Sequence, residues 1–191
     1  MELLTGIFSA FGLSASAGLN AYIPLLVIGV IAHYTDWITL QKPWDTLSNP
    51  WILILLGILL IIEMLADKIP AVNHINDAIQ TIIRPAAGAI AFAASANIAT
   101  NINPVFALAC GLLVAGTVHV AKSAVVRPIV TATTGGTANI PVSIAEDVVS
   151  TLVSILAIVL PIVVGILLIV AAAFLIAWLW KRSTTKQVKP S

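Results

Sequence analysis

Glu63 and Asp67 are four residues apart and so share one face of any helix that carries them. Two carboxylates in that relation repel unless a proton, a cation or a basic side chain sits between them. His74 and Asp77, three apart, form a second polar pair just after Pro70, and Glu146 and Asp147 are adjacent further on. All these carboxylates fall at or near strongly apolar runs, and the available counter-charges are Lys68, Arg84, Lys122 and Arg127. Three chemistries fit such a set. Ionisable groups within membrane spans usually face a water-filled interior, which suits a proton- or cation-coupled translocation path. Alternatively, Glu63, Asp67, Asp77, Glu146 and Asp147 are candidate oxygen ligands for a divalent cation such as Mg²⁺, with Arg84 or Arg127 clamping a phosphate in an enzyme acting on a lipid phosphate or diphosphate. The third reading is a set of interfacial ion pairs that only stabilise the bundle; separately, the Ala/Gly-rich 85–99 span suggests a non-catalytic partner or assembly subunit. His74 and His119 lack a helical histidine partner at i+4 and read as hydrogen-bonded structural residues, and Cys110 is a lone packing residue.

A second group of residues offers backbone chemistry. The stretch Ser14-Ala-Ser16-Ala-Gly18-Leu-Asn20-Ala-Tyr-Ile-Pro24-Leu lies over Thr131-Ala-Thr133-Thr-Gly135-Gly-Thr-Ala-Asn139-Ile-Pro141-Val with five identities and two Ser/Thr exchanges. Proline removes an amide donor and glycine permits unwinding, so carbonyls and amides there lose their partners. Hydrocarbon tolerates this only where protein or water satisfies them. Paired broken helices of this kind present helix ends and free carbonyls to substrate and coupling ion in many transporters. The competing reading is that small residues simply let helices pack closely.

The elements that position these residues follow from composition. Of 191 residues, 60% are hydrophobic and 9% charged, with mean hydropathy +1.08. That excludes an ordinary soluble enzyme, and the net charge of +1 excludes a basic nucleic-acid binder. The pattern predicts an all-α, polytopic transmembrane helical bundle of about six spans with broken helices and an internal repeat. It forms one domain over 1–180, with halves near 1–100 and 101–180, and a basic tail over 181–191. The expected spans are 3–32, 51–66, 85–98, 105–120 and two that meet near Pro161, with an interfacial or cavity-lining amphipathic helix over 71–84. Basic residues assigned by the positive-inside rule put both termini in the cytoplasm and the 33–49 connector outside an inner (plasma) membrane. The lipid bilayer is one partner, and a homo-oligomer is expected because short spans enclose little interior. No phosphate loop, nucleophile elbow or zinc-helix motif occurs.

The run from Glu63 through Asp67-Lys68-Ile69-Pro70 to His74, Asp77 and Arg84-Pro85-Ala86-Ala87-Gly88, with Gly12 to Ala21 before it and Glu146-Asp147 after it, resembles the domain of unknown function 4126 family of bacterial membrane proteins. The resemblance implies an integral membrane protein and assigns no reaction. Together these readings predict a small transporter or channel-like protein with a polar cavity at paired broken helices. The expected substrate or ion path comprises Ser14, Ser16, Gly18, Asn20, Glu63, Asp67, Lys68, His74, Asp77, Arg84, Arg127, Thr131, Thr133, Gly135, Asn139, Glu146 and Asp147.

Overall fold

A computed structural model describes residues 2–68, 70–99 and 102–187, with the side chains of 2, 70–75, 77, 97–99, 175 and 178–187 outside the description. The regular elements are helices: α1 (Glu2–Leu19), α2 (Tyr22–Tyr34), α3 (Pro50–Ala66), α4 (Pro70–Ala99), α5 (Pro104–Ala121), α6 (Arg127–Thr134), α7 (Asn139–Val159) and α8 (Pro161–Gln187). A short 3-10 turn covers Trp44–Ser48, and a π-helical stretch, Lys122–Val126, joins α5 to α6. No strand occurs among the described residues.

Local chemistry sets the boundaries. The Asn49 side chain accepts from the Trp51 amide, and that of Asn103 accepts from the Val105 and Phe106 amides. In both cases proline occupies the first helical position, where a missing N–H costs nothing. Gly135 ends α6 at φ +62, a conformation that side chains strongly disfavour. Leu160 leaves the helical region at φ −133, ψ 57, and α8 restarts at Pro161, so the apolar run breaks where the sequence predicts.

On α3 and α7 packing is inverted relative to a water-soluble protein, whereas α1, α2 and α4 also bury an apolar core that includes Leu13, Ile28 and Phe92. In α3 the buried residues are Leu56 and Glu63, while Ile54, Ile58, Ile61, Ile62 and Leu65 are exposed. Along α7 the buried positions include Ser143, Asp147, Ser150 and Ser154, with Ile144, Val148, Leu152 and Ile155 facing out. A surface of branched aliphatics around a polar interior is stable only in an apolar solvent. Three helical stretches, 78–96, Pro104–Thr134 and Asn139–Val159, are long and apolar enough to cross a membrane, and shorter apolar helices accompany them. The sequence expectation of about six full-length spans therefore reduces to three clear candidates.

The course of the first two helices differs from expectation. Along α1, Asn20, Ser16 and Gly12 meet Asp147, Ser150 with Ser154, and Ala157 in turn, so α1 runs antiparallel to α7. Along α2, Ile23 lies beside Asp147 and Thr151, whereas Val30 and Ile31 share a groove with Ile155. The chain thus reverses at Asn20, whose side-chain oxygen accepts from the Tyr22 and Ile23 amides and starts α2. The stretch 3–32 is a helical hairpin instead of one span. Trp44 packs on the Ala10, Phe92, Ala96 and Ala107 cluster, which places the connector at the same end of the bundle as the beginning of α1. The predicted arrangement put the N-terminus and this connector on opposite sides. The reversal at Asn20 overturns it, because a polar cap inside an apolar run can turn the chain without leaving the bundle.

The amphipathic stretch 71–84 is not a separate interfacial helix either. It continues through Pro85 into the Ala/Gly-rich segment as the single helix α4, with Asn76, Gln80 and Arg84 buried. α4 and α5 form the expected tight hairpin. A Cβ on Gly111 would lie 2.6 Å from Phe92 Cβ and 2.7 Å from Ala89 Cα, closer than atoms can approach.

Candidate functional site: a buried charge network at the helix breaks

At the end of the bundle where α1 reverses, α3, α4, the π-helical stretch, α6 and α7 bring their charged groups together. Glu63 stands on the last turn of α3 and Asp67 caps it. Arg84 donates from Nη2 to Glu63 Oε1 at 2.9 Å and from Nε to the same oxygen at 3.3 Å, and its Nη2 is 3.8 Å from Asp67 Oδ2. Arg127 Nη2 reaches Asp67 Oδ2 at 3.2 Å and Glu146 Oε2 at 3.5 Å, and Lys122 Nζ is 2.7 Å from that same Glu146 oxygen. Three carboxylates and three cations therefore alternate through the interior. Arg84 and Glu63 are 1% and 2% exposed. Groups so deeply withdrawn from water survive as ions only when paired and hydrogen-bonded.

Neutral donors complete the network. Asn76 Nδ2 donates to Asp67 Oδ1 at 2.7 Å, and Ser143 Oγ to Asp67 Oδ2 at 3.1 Å. Burial pushes the Asp67 carboxyl up, but Arg127, Arg84, Lys122 and the Asn76 hydrogen bond outweigh that and hold it below the usual carboxylate range. Arg84 Nη1 lies 3.4 Å from His119 Nδ1. Arginine can only donate, so Nδ1 is the acceptor and Nε2 carries the hydrogen toward Thr81 Oγ1, 3.2 Å away. Lys122 also donates to the carbonyl of Leu19, the last residue of α1, at 3.1 Å. One ammonium thereby ties the charge network to an open helix end. Beside it, Asn20 Nδ2 donates to Asp147 Oδ1 at 2.9 Å. Buried oxygens without a hydrogen-bond partner include Glu63 Oε2 and Asp147 Oδ2.

The sequence profile of a family described as a domain of unknown function (DUF4126) matches residues 7–182. The chain belongs to this family. No curated protein and no solved structure matches it. Membership of DUF4126 brings no reaction with it, so the site must be read from its own geometry.

In this DUF4126 member, Glu63, Asp67, Arg84, Arg127 and Glu146 converge, and Asn20 and Asp147 join at their edge. Ser16 belongs to a hydroxyl ladder, its Oγ 2.8 Å from Ser150 Oγ and 2.7 Å from Ser154 Oγ. Ser14 donates to the Gly111 carbonyl at 2.8 Å, and Gly18 lets α1 approach Ala115 and Val118 of α5. These are packing roles. Lys68, in the turn just past α3, reaches back to the Met64 carbonyl of that helix, 2.9 Å away. Thr131 and Asn139 bond each other on the exposed surface, Thr133 bonds carbonyls of its own helix, and Gly135 terminates α6, so the second repeated motif stands apart from the network. His74 and Asp77 lie outside the described side chains. Among the described residues no three His, Cys, Asp or Glu side chains are arranged to hold a metal ion. The network carboxylates face arginine and lysine instead.

Sequence reasoning assigned no role to Asn76, Thr81, Ser143, Ser150 or Ser154. The serines on α7 had a signal, since Ser143, Ser150 and Ser154 recur at spacings of seven and four and mark one helical face.

Proposed function

We propose that this protein is a small integral membrane transporter driven by proton movement, with its charge network as the coupling element and the network end toward the cytoplasm. The observation that carries the reading is the buried Glu63–Arg84–Asp67–Arg127–Glu146–Lys122 chain, attached through Lys122 to the Leu19 carbonyl where α1 breaks. A balanced buried network is bistable toward protons. A proton arriving on a carboxylate removes one charge and leaves its arginine uncompensated, which drives that arginine to another partner. Because Arg84 and Arg127 both face Asp67, such an exchange passes along the chain, and Lys122 transmits it to the α1–α2 hairpin. Lys68, Arg84, Lys122 and Arg127 cluster at this end while Lys42 lies in the opposite connector, which supports the orientation. A homo-oligomer in the bilayer belongs to the same proposal.

The test is proton flux into proteoliposomes under an imposed potential, read with an entrapped pH dye. Wild type should exceed empty vesicles, and Glu63→Gln, which keeps the shape of the side chain and removes its titration, should fall to the empty-vesicle rate. Equal flux in wild type, Glu63→Gln and empty vesicles would overturn the reading. The Mg²⁺-enzyme alternative loses ground because the candidate ligands Glu63, Asp67 and Glu146 each give one oxygen to a cationic side chain, and no three His, Cys, Asp or Glu side chains among the described residues are arranged to hold a metal ion.

A further inference from the structure

Helix continues without a gap from α5 through Lys122–Val126 into α6, but its hydrogen-bond register changes on the way. The Arg127 amide donates to the Lys122 carbonyl, five residues back instead of four. Pro128 supplies the cause. It has no N–H for the Ala124 carbonyl and its ring crowds that oxygen, so the turn before it widens. The widened turn decides where two cations point. In a regular α-helix, residues five apart stand about 140° apart around the axis and serve different faces. The π turn stacks Arg127 over Lys122, and both reach the same oxygen, Glu146 Oε2, at 3.5 and 2.7 Å. Lys122 is anchored, for it is buried and also donates to the Leu19 carbonyl at 3.1 Å. Arg127 belongs to the segment beyond the π turn. That segment, α6, has no buried residue. It ends at Gly135 and Gly136, whose φ values of +62 and +88 give the chain a swivel before α7 begins. The bond between Thr131 and Asn139 across this swivel is exposed and of modest net worth.

We propose that α6 is the moving arm of the charge network: when the Lys122–Val126 turn tightens from π to α register, α6 rotates and draws Arg127 away from Asp67 and Glu146. One step of register is about 100° of rotation and ~1.5 Å of rise, enough to turn Arg127 off the face that Lys122 occupies. The trigger rests on the proton-coupled reading. Charged Glu146 on α7 faces both Lys122 and Arg127, and charged Asp67 at the end of α3 faces Arg127 and Arg84, so together they hold the strained register. A proton on Glu146 leaves two cations side by side over a neutral group. Like charges in that position favour the register that separates them. Pro128 is then a positioning residue, because it keeps the two registers close in free energy by denying the α form one hydrogen bond.

The experiment is fluorine NMR of the full chain in a maltoside detergent, with a trifluoromethyl tag on Ala132→Cys, an exposed position of α6, in a Cys110→Ala background. The parent should show one dominant signal, with the rotated arm at about 10% or less. Glu146→Gln removes the charge that Lys122 and Arg127 share, and Pro128→Ala restores an amide for the Ala124 carbonyl. These unrelated changes should each make one and the same second signal dominant. Pro128→Ala lies outside the ion pairs, so it serves if Glu146→Gln does not fold. A parent-like spectrum in Pro128→Ala, a parent-like spectrum in Glu146→Gln, or a different new signal in each variant overturns the proposal. The readout needs no proton gradient and is therefore separable from the flux assay. Flux that depends on Glu63 together with an unmoved tag in Pro128→Ala would leave the transport reading standing and remove the arm. A shared second signal without any flux in wild type would keep the arm and remove transport.

Discussion

At the scale of single residues, the network makes sharp demands because its members have no water to fall back on. Arg84→Met leaves Glu63 buried without the arginine that donates to its Oε1, and removing one partner of a buried pair typically costs about 3–5 kcal/mol. Adding Glu63→Leu to Arg84→Met should recover most of that loss, since an apolar pair of similar volume has no charge to satisfy. Thermal melts of the two variants in detergent check this, and a double variant no more stable than the single one would show that the pair is not the unit. Asp67 gives a pH signature. Its folded carboxyl lies below its ordinary value of 3.8, so its stabilisation is complete above that value and is lost as pH falls through the lowered folded value. The melting temperature should therefore drop on acidification below the ordinary carboxylate range, and Asp67→Asn should flatten that limb. The Glu63–Asp67 spacing was legible as an anomaly in the sequence, and Arg84 as one available counter-charge. Which cation meets which carboxylate was not, because Asp67 finds Arg127 and Ser143 across 60 and 76 residues of chain.

At the scale of helices, small residues decide how closely the rods approach. Gly111→Ala would force Cβ against backbone atoms of α4 that have no side-chain freedom to yield. The expected cost is about 1–3 kcal/mol. Gly57→Ala on the outer face of α3 meets nothing within 4 Å and should be neutral or gain up to about 1 kcal/mol from helix propensity. Parallel melts of the two variants test the assignment of inner and outer faces, and similar shifts would refute it. Most element boundaries could be read from the sequence, because Asn-Pro starts and the Pro161 break announce themselves. The reversal at Asn20 could not. The small, hydroxyl and proline residues from Gly12 to Pro24 mark a break there, but such a break looks the same whether the chain crosses or folds back, and only the serines and Asp147 on α7, far away in sequence, distinguish the two. Likewise Pro85 read as a helix start, yet α4 runs straight through it.

At the scale of the whole molecule, the aliphatic exterior requires a bilayer, and the hairpin at Asn20 fixes which loops share a side. In a Cys110→Ala background, cysteines placed ahead of α1 and at Gln41 should react with a membrane-impermeant thiol reagent from the same side, and one at Thr137 from the other. Opposite-side labelling of the first two would restore the single-span course. The same architecture sets a timetable for biosynthesis. Glu63 leaves the ribosome 21 residues ahead of Arg84, whereas Asp67 leaves 60 ahead of Arg127. At about 5–20 residues per second, Asp67 waits on the order of 3–12 seconds for its arginine. Chains arrested after α4 thus hold Glu63 paired with Arg84, while Asp67 has only the Asn76 amide and a 3.8 Å approach to that same arginine, so its second cation comes only when the second half of the polypeptide arrives.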